Sequence, residues 1–381
     1  MNPNDFNAPA AGQVVKTAQG YWAFVPAPLP PELNYDPDLV RLLSRADAAL
    51  SELSGIGRIL PNPHLLIAPW VRREAVLSSR IEGTRTSLSD LLIDEIGGEH
   101  ATLRPPDDVR EVRNYVEALE YGIERLKELP LSLRLVRELH TRLMKGVRGD
   151  KATPGEFRRT QNWIGPQGST PTTAAYVPPP VTDMTSCLDS WEKFLHEHDT
   201  MPELVQCALM HEQFEAIHPF LDGNGRVGRL LITLFLIERG RLFQPLLYLS
   251  AYIDEHRSDY YELLQRVRTH GDWGPWIRYF LTGVATIATE AVQQSTELLD
   301  LRDQFREKVK QKPRALTLID ELFTNPYITV ARAEKVLGVS NPTARKAVEL
   351  LVDQGIIKPL GERRWGKIYL SRSVLDAIEQ K

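Results

Sequence analysis

HPFLDGNGRVGRLLITLFLIERG, residues 218–240, passes from polar and flexible residues into an apolar run without a break. Its first twelve positions hold a histidine, an acid, an Asn between two glycines and two arginines. Gly223, Asn224 and Gly225 all tolerate left-handed backbone geometry, which lets successive N–H groups converge on one anion-binding concavity. The apolar run that follows, closed by Gly240, reads as a helix. The concavity then lies at a helix N-terminus, where the dipole also favours negative charge. Arg226 and Arg229, three apart, project from one face of the first turn. Two guanidiniums and an anion nest suit a polyphosphate. Asp222, just before them, would be repelled by phosphate unless a divalent cation lay between, and Mg2+ commonly binds through one carboxylate plus substrate phosphates. His218, four positions earlier, is then available as a general base. The plain alternative is a tight turn, a capping histidine and a solvated pair of arginines. It fits each feature singly, but not the convergence of all of them in twelve residues.

Composition sets the frame. The chain has 381 residues, 42% hydrophobic and 25% charged, which reads as a globular protein of two or three domains. A net charge of −4 argues against wholesale polyanion binding, though not against a local basic patch. Cys187 and Cys207 stand in helical patterns without CxxC or Cys/His spacing, so neither a disulfide framework nor a zinc site is expected and a reducing cytoplasm fits. The first residues lack the basic and apolar regions of a signal peptide, and no run approaches 18 apolar residues.

Most of the chain has helical spacing. Residues 1–31, rich in Pro, Ala and Gly, are expected to lie over the surface as an unpacked arm. Asp36 is an N-cap before Pro37, and helices are expected to Ile56 and from Trp70 to Ile93, with the loop PNPH between. Pro105 and Pro106 punctuate; the apolar spacing of 107–129 then predicts an amphipathic helix with an acidic start. Residues 149–183 are crowded with Gly, Pro and Thr, and TTAAYVP, 172–178, is the best candidate there for a short extended segment. PELVQCALMHEQFEAI, 202–217, starts a helix at Pro202 and delivers the chain to His218.

HPFLDGNGRVGR resembles, without a mismatch, the signature of the Fic (filamentation induced by cyclic AMP) family: His, any, Phe, any, Asp or Glu, Gly, Asn, Gly, Arg, any, any, Arg. PGEFRRTQNWIG, TTAAYVPPP and DYYELL also look like family features, so the resemblance covers roughly residues 70–290. It implies a mainly α fold, a Fic helical core with a short β-hairpin flap. It also implies transfer of AMP from ATP to a Ser, Thr or Tyr hydroxyl of a target protein, with release of pyrophosphate. Carried over, His218 is the base and Asp222 the Mg2+ ligand, with Mn2+ as a substitute. Gly223, Asn224 and Gly225 cradle phosphates, Arg226 and Arg229 neutralise them, and Phe220 faces the core. Tyr260 and Tyr261 would stack on adenine and Gln213 would reach the nucleotide. Thr173, Ala174, Ala175, Tyr176 and Val177 would be the flap that pairs with the target's extended backbone.

SSRIEGTRTSL, 78–88, resembles the family's inhibitory motif: Ser78 and Glu82 lie four apart and Gly83 frees the backbone to leave the helix. The implied restraint is a bidentate pair between Glu82 and Arg229, which would turn the phosphates of ATP unproductively.

Beyond residue 300 a charged stretch reads as the end of a long helix entering a linker, followed by a winged helix-turn-helix. Its third helix opens at Ser340 or Asn341 with Pro342 in the first turn and stops at Gly355; IIKPLGERRWGKIYL is the wing. From 313 to 381 there are 11 Lys and Arg against 8 Asp and Glu, a slight +3 for DNA binding. Arg345, Lys346, Arg363, Arg364 and Lys367 are placed for phosphate contacts, but such modules also bind proteins or form homodimers. The expected division is 1–105, an N-terminal helical region with the inhibitory helix at about 70–90; 106–295, the Fic core; 296–312, a linker helix; and 313–381, the winged helix-turn-helix. Two rivals stay open: a Fic fold with another reaction, either AMP removal or the phosphotransfer of Doc-like toxins, and a DNA-binding regulator with a nucleotide-sensing Fic core. Cytoplasmic location is expected.

Overall fold

Helix ends fall where local chemistry puts them. Asp36 accepts hydrogen bonds from the N–H groups of Asp38 and Leu39 at 3.1 and 3.0 Å, and the first helix begins at Pro37. Ser87 and Asp90 form a reciprocal capping box, and Gly83, at φ 97°, releases the chain from the preceding helix. The computed structural model describes residues 1–59, 64–97, 107–147, 153–361 and 366–379. Pro61, Asn62 and Pro63 of the PNPH loop, the Pro105–Pro106 break and Arg363 and Arg364 of the wing lie outside the described residues.

In chain order a β-hairpin, β1 Gly12–Lys16 and β2 Trp22–Pro26, precedes α1 Pro37–Ile59, α2 His64–Ile81, α3 Leu88–Ile96, α4 Asp107–Arg125, α5 Leu133–Leu143 and α6 Val181–Leu195. Then come α7 Glu203–Ile217, α8 Asn224–Glu238, α9 Ser250–Glu255, α10 Arg257–His270 and α11 Trp273–Lys308. The C-terminal part runs α12 Pro313–Thr324, β3 Tyr327–Thr329, α13 Val330–Leu337, α14 Asn341–Asp353, β4 Lys358–Leu360, β5 Ile368–Leu370 and α15 Arg372–Glu379. The protein is thus mainly α-helical with small antiparallel sheets. Among the described residues no helix is long and apolar enough to cross a membrane.

Two compact units divide the chain. The first comprises Met1–Ser51, Asn114–Leu242 and Leu249–Ile287. At its centre α7 is buried from Leu204 to Ile217, which is why its sequence shows apolar residues all round instead of a stripe. Trp191 and Trp276 donate their indole N–H groups to Met210 and Ala208 carbonyls of α7, both at 2.9 Å. The N-terminal residues are packed, contrary to the expected surface arm. Val14 pairs with Phe24 across the hairpin, and Ala23 and Phe24 are buried with Ala174, Tyr176 and Val177. The aromatic side chains of this Pro-rich stretch supply the apolar area that its composition hides.

The second unit comprises Glu52–Arg113, Phe243–Tyr248 and Ala288–Lys381, so the expected boundaries at 105 and 295 are not where the structure divides. Helix α12 packs on α2, and β3 on α3. Trp70 of α2 stacks on Tyr248 with ring centroids 5.2 Å apart. Arg73 donates to Gln294 Oε1 at 3.1 Å and to the Ile378 carbonyl at 3.0 Å. Buried Asn325 donates to the Leu92 carbonyl at 2.8 Å and accepts from the Tyr327 N–H at 3.0 Å. The expected single helix 70–93 is two helices broken at Gly83, whose positive φ no helix interior accepts. The expected linker helix 296–312 is the end of α11, which continues to Lys308, and Arg302 and Arg306 bind Asp320 of α12 at 2.8 and 3.0 Å. The C-terminal elements run helix, strand, helix, helix, strand, strand, with sheet order β3-β5-β4; strand β3, between the first two helices, was not expected from the sequence. Ser340 is the N-cap of α14, with proline in its first turn.

Asn325→Ala leaves the Leu92 carbonyl and the Tyr327 N–H without their partner in a buried place. It should lower stability by about 1–3 kcal/mol. Urea unfolding followed by tryptophan fluorescence reads this as a lower midpoint; an unchanged midpoint would show that the bond contributes nothing.

Candidate active site

The site begins where α7 ends. His218 adopts left-handed backbone geometry, φ 49° and ψ 60°, unusual for a residue with a side chain. Two neighbours hold it there. Arg158 Nε donates to the His218 carbonyl at 3.0 Å, Asn162 Nδ2 donates to the His218 and Phe220 carbonyls at 3.0 and 2.8 Å, and the Arg158 N–H donates to the Pro219 carbonyl at 2.8 Å. Arg158 is 1% exposed. Both residues belong to a stretch noticed in the sequence only for its resemblance. Their function as backbone clamps carries no local signal, because they act on a segment 56 to 60 positions away.

Asn224 closes the turn: its Oδ1 accepts from the Phe220 N–H and its Nδ2 donates to the Phe220 carbonyl, both at 2.8 Å. Phe220 is buried, as expected, against His140 and Phe157. Of Gly223, Asn224 and Gly225, only Gly223 is left-handed, at φ 80°. Asn224 and Gly225 are the first two residues of α8, so the expected run of left-handed residues is instead one turn residue followed by an open helix N-terminus. The side chain of Asn224 is committed to Phe220, which sets it into the helix. The N–H groups of Asn224 and Gly225 have no partner among the described residues and remain available to an anion.

Arg226 and Arg229 are 3% and 2% exposed. That excludes a solvated face. Arg226 Nη2 lies 3.6 Å from Asp222 Oδ1, which also accepts from the Gly223 N–H at 2.6 Å. The Asp222 side chain is 49% exposed. The His218 side chain is 20% exposed, and its Nδ1 is 3.3 Å from the Glu215 carbonyl. A carbonyl only accepts, so that contact places the proton on Nδ1 and the basic lone pair on Nε2. Among the described residues no group of three His, Cys, Asp or Glu forms a closed metal cage. A half-exposed single carboxylate beside an anion site does fit Mg2+ arriving with nucleotide phosphates, the usual manner of binding that ion.

The other expected residues separate. Tyr260 is 1% exposed, with its hydroxyl 2.9 Å from His211 Nε2, so its ring belongs to the core; Tyr261 is 42% exposed. Gln213 is 2% exposed and donates to the Ala27 carbonyl at 2.9 Å, which commits its amide to the N-terminal segment. In the flap Tyr176 pairs with Ile164, their N–H groups donating at 3.1 and 2.8 Å. Ala174, Tyr176 and Val177 are buried and Thr173 and Ala175 exposed. The Tyr176 hydroxyl donates to the Ala216 carbonyl at 2.7 Å, and the Arg268 guanidinium, paired with buried Glu212, lies 4.3 Å from its ring centre. The N–H of Phe24 donates to the Val177 carbonyl at 2.9 Å. Gly228, passed over in the sequence, lets α7 and α8 approach: a Cβ there would lie 2.6 Å from Glu215 Oε1. Burial holds the pKa of His211 down to about 3, so it stays neutral, with Nδ1 3.1 Å from the Gly228 carbonyl. Ser78, Glu82 and Gly83 belong to the second unit.

Family models of the Fic/DOC family match twice, the N-terminal model over residues 40–124 and the Fic/DOC model over 130–236, together half of the chain. The chain belongs to the Fic/DOC family. Two curated relatives are each called "Protein adenylyltransferase Fic". The one from Drosophila grimshawi is 30% identical over 176 residues, 45% of this chain and 33% of the relative. The one from Drosophila virilis is 31% identical over the same length and shares. The chain thus spans about a third of the length of these relatives. Two solved structures share the Fic fold. A Fic family protein from Desulfovibrio desulfuricans G20 matches with TM-score 0.59 and 21% identity, over 90% of this chain and 98% of that one. A Fic domain containing signaling protein from Bacteroides thetaiotaomicron matches with TM-score 0.52 and 18% identity, over 66% and 97%.

Gly223→Ala forces a side chain into the left-handed turn and sets a Cβ 2.9 Å from Met144 Sδ. This Fic chain should lose about 1–2 kcal/mol of stability. Thermal unfolding of the variant checks it; a parent-like midpoint would show that the left-handed turn does not require glycine.

Proposed function

We propose that this Fic protein transfers AMP from ATP to a Ser, Thr or Tyr hydroxyl of a target protein and is restrained by its own Glu82. The observation that carries the reading is the burial of Arg226 and Arg229 at the open N-terminus of α8, beside the half-exposed Asp222 and with His218 at the same turn. Two guanidiniums beside an open helix N-terminus suit an ATP triphosphate, which provides several negative oxygens. The relatives named as protein adenylyltransferases support the same nucleotide.

In the proposed reaction His218 Nε2 takes the proton of the target hydroxyl as its oxygen attacks the α-phosphorus; the α–β bridging bond breaks and pyrophosphate leaves. The N–H groups of Asn224 and Gly225 hold phosphate oxygens, and Arg226 and Arg229 hold the β and γ charge. Asp222 would hold Mg2+, which when bound would supply neutralisation of phosphate charge. Tyr261 is the tyrosine with a ring open to adenine. An extended target segment would add to the flap around Thr173 and Ala175, the exposed positions between buried ones. In the C-terminal module Arg345, Lys346 and Lys367 are exposed, which suits phosphate contacts. The module's local charge of +3 is slight, so DNA binding is no part of the proposed activity.

His218→Ala should lower AMP incorporation by about 100-fold to 10,000-fold and leave ATP binding nearly intact. Incorporation of labelled AMP, set beside calorimetric titration of ATP, separates the two effects. EDTA should abolish incorporation, and added Mg2+ should restore it in the parent but not in Asp222→Ala. Activity indifferent to EDTA would end the carboxylate assignment.

The restraint has its own test. Glu82→Gly should raise AMP incorporation at saturating ATP, self-modification included. Adding Arg229→Ala should cancel the gain, because the arginine that Glu82 releases is the one needed to orient the γ-phosphate. Equal incorporation by the parent and Glu82→Gly would end the inhibitory assignment while leaving the transfer reaction standing.

A further inference from the structure

Beneath the motif loop lies a histidine that the proposed reaction does not use. His140, on α5, is 0% exposed. The Gly155 N–H donates to its Nδ1 at 2.8 Å, and its Nε2 lies 3.0 Å from the carbonyl of Asp222. A backbone N–H can only donate, so Nδ1 must carry the lone pair; the ring proton is then on Nε2 and is given to Asp222. The hydrogen bonds leave one tautomer and one ring orientation. The face of the ring is fixed as well: it stacks on Phe220 with centroids 3.7 Å apart and 4° between the planes. Gly155 is itself pinned to α5. Arg137 Nε donates to its carbonyl at 2.7 Å, and a Cβ at its φ of 80° would collide with Thr141 Oγ1. The ring therefore joins a rigid anchor on one edge to the backbone of the proposed metal ligand on the other.

We infer that His140 is a positioning residue, whose Nε2–H, donated to the Asp222 carbonyl, sets the place of the Asp222 carboxylate relative to His218 and the N-terminus of α8. The inference rests on the proposed adenylyl transfer for its catalytic meaning, but the positioning itself is a property of the loop. Asp222 has no other buried attachment of its backbone among the described residues: its carboxylate contacts the Gly223 N–H and Arg226, and its side chain is half in solvent. Without the bond from below, Asp222 can move while Phe220, held by Asn224 and Asn162, stays. Misplacement of a reacting group by about 1 Å costs on the order of 100-fold in rate.

Three substitutions divide the ring into its parts. His140→Gln carries an amide nitrogen at the reach of Nε2 and keeps the donor to Asp222. His140→Asn keeps an acceptor near the place of Nδ1 but does not reach Asp222. His140→Phe keeps the stack on Phe220 and the volume, and has neither hydrogen bond. Two readouts are taken for each in the full chain: hydrogen exchange of the segment 218–224 by mass spectrometry, and kcat and KM for ATP in AMP incorporation. For His140→Asn and His140→Phe, exchange should quicken by tenfold or more and kcat should fall on the order of 100-fold, with KM for ATP changed by no more than a few-fold. His140→Gln should recover most of both. If His140→Phe matches the parent in exchange and kcat, or if His140→Asn performs as well as His140→Gln, the ring is only a filler and the inference is overturned. A chain in which even the parent transfers no AMP fails the proposed function alone, because exchange still distinguishes Gln from Asn and Phe.

Discussion

The left-handed turn at His218 is the constraint on which the site depends. A residue with a Cβ pays roughly 1–3 kcal/mol for such a backbone and keeps it only where surroundings over-determine it. Here Arg158 and Asn162 grip the His218 carbonyl from outside the motif, and Asn224 grips Phe220 from within it. Burial lowers the Arg158 pKa only to about 10, so the clamp is still a cation at neutral pH. With the turn held, the C-terminal end of α7 and the N-terminal end of α8 meet, and a base, a carboxylate and an open helix terminus come to one place. Released, α7 would carry His218 on without the abrupt change of direction.

Charge follows from the same geometry. Arg226 and Arg229 are removed from water before any nucleotide arrives, with the dipole of α8 behind them. Groups that are already desolvated and oriented need little rearrangement when charge develops during a reaction, which is how such sites obtain most of their effect. Asp222, by contrast, keeps half its side chain in solvent. In the proposed reaction that access would suit a carboxylate receiving an ion together with its phosphates, whereas arginines that only neutralise would not need it.

The second unit gives α2 neighbours that its sequence does not announce. Arg73 joins it to Gln294 and to the Ile378 carbonyl of α15, and α12 packs along it. Asn325 and Tyr327 do the same for α3, through the Leu92 carbonyl and the Ser89 hydroxyl. The helix that leads to Glu82 is therefore part of the same core as the C-terminal module. Moving α2 within this unit would break the half-buried Arg73 guanidinium contacts as well as apolar packing, a larger change than bending a surface helix.

Local chemistry made much of this legible in the sequence. The signature at 218–229, the stops at Gly83 and Gly240, the cap at Asp36 and the start of α14 at Ser340 all depend on residues within a few positions of one another, and the chain alone determines them. The family and its mainly helical fold were legible for the same reason. Tertiary structure decided what depends on distant partners. It put Tyr260 into the core through His211 and committed Gln213 to Ala27. It turned the Pro-rich first residues into a packed hairpin around Phe24, and ended the run of left-handed residues at Gly223 because Asn224 was needed by Phe220. Arg158, Asn162 and His140 drew no functional reading from their own neighbourhoods, since each acts on a backbone atom 56 to 82 residues away, and a hydrogen bond to a carbonyl leaves no mark on the identity of the residue that owns it.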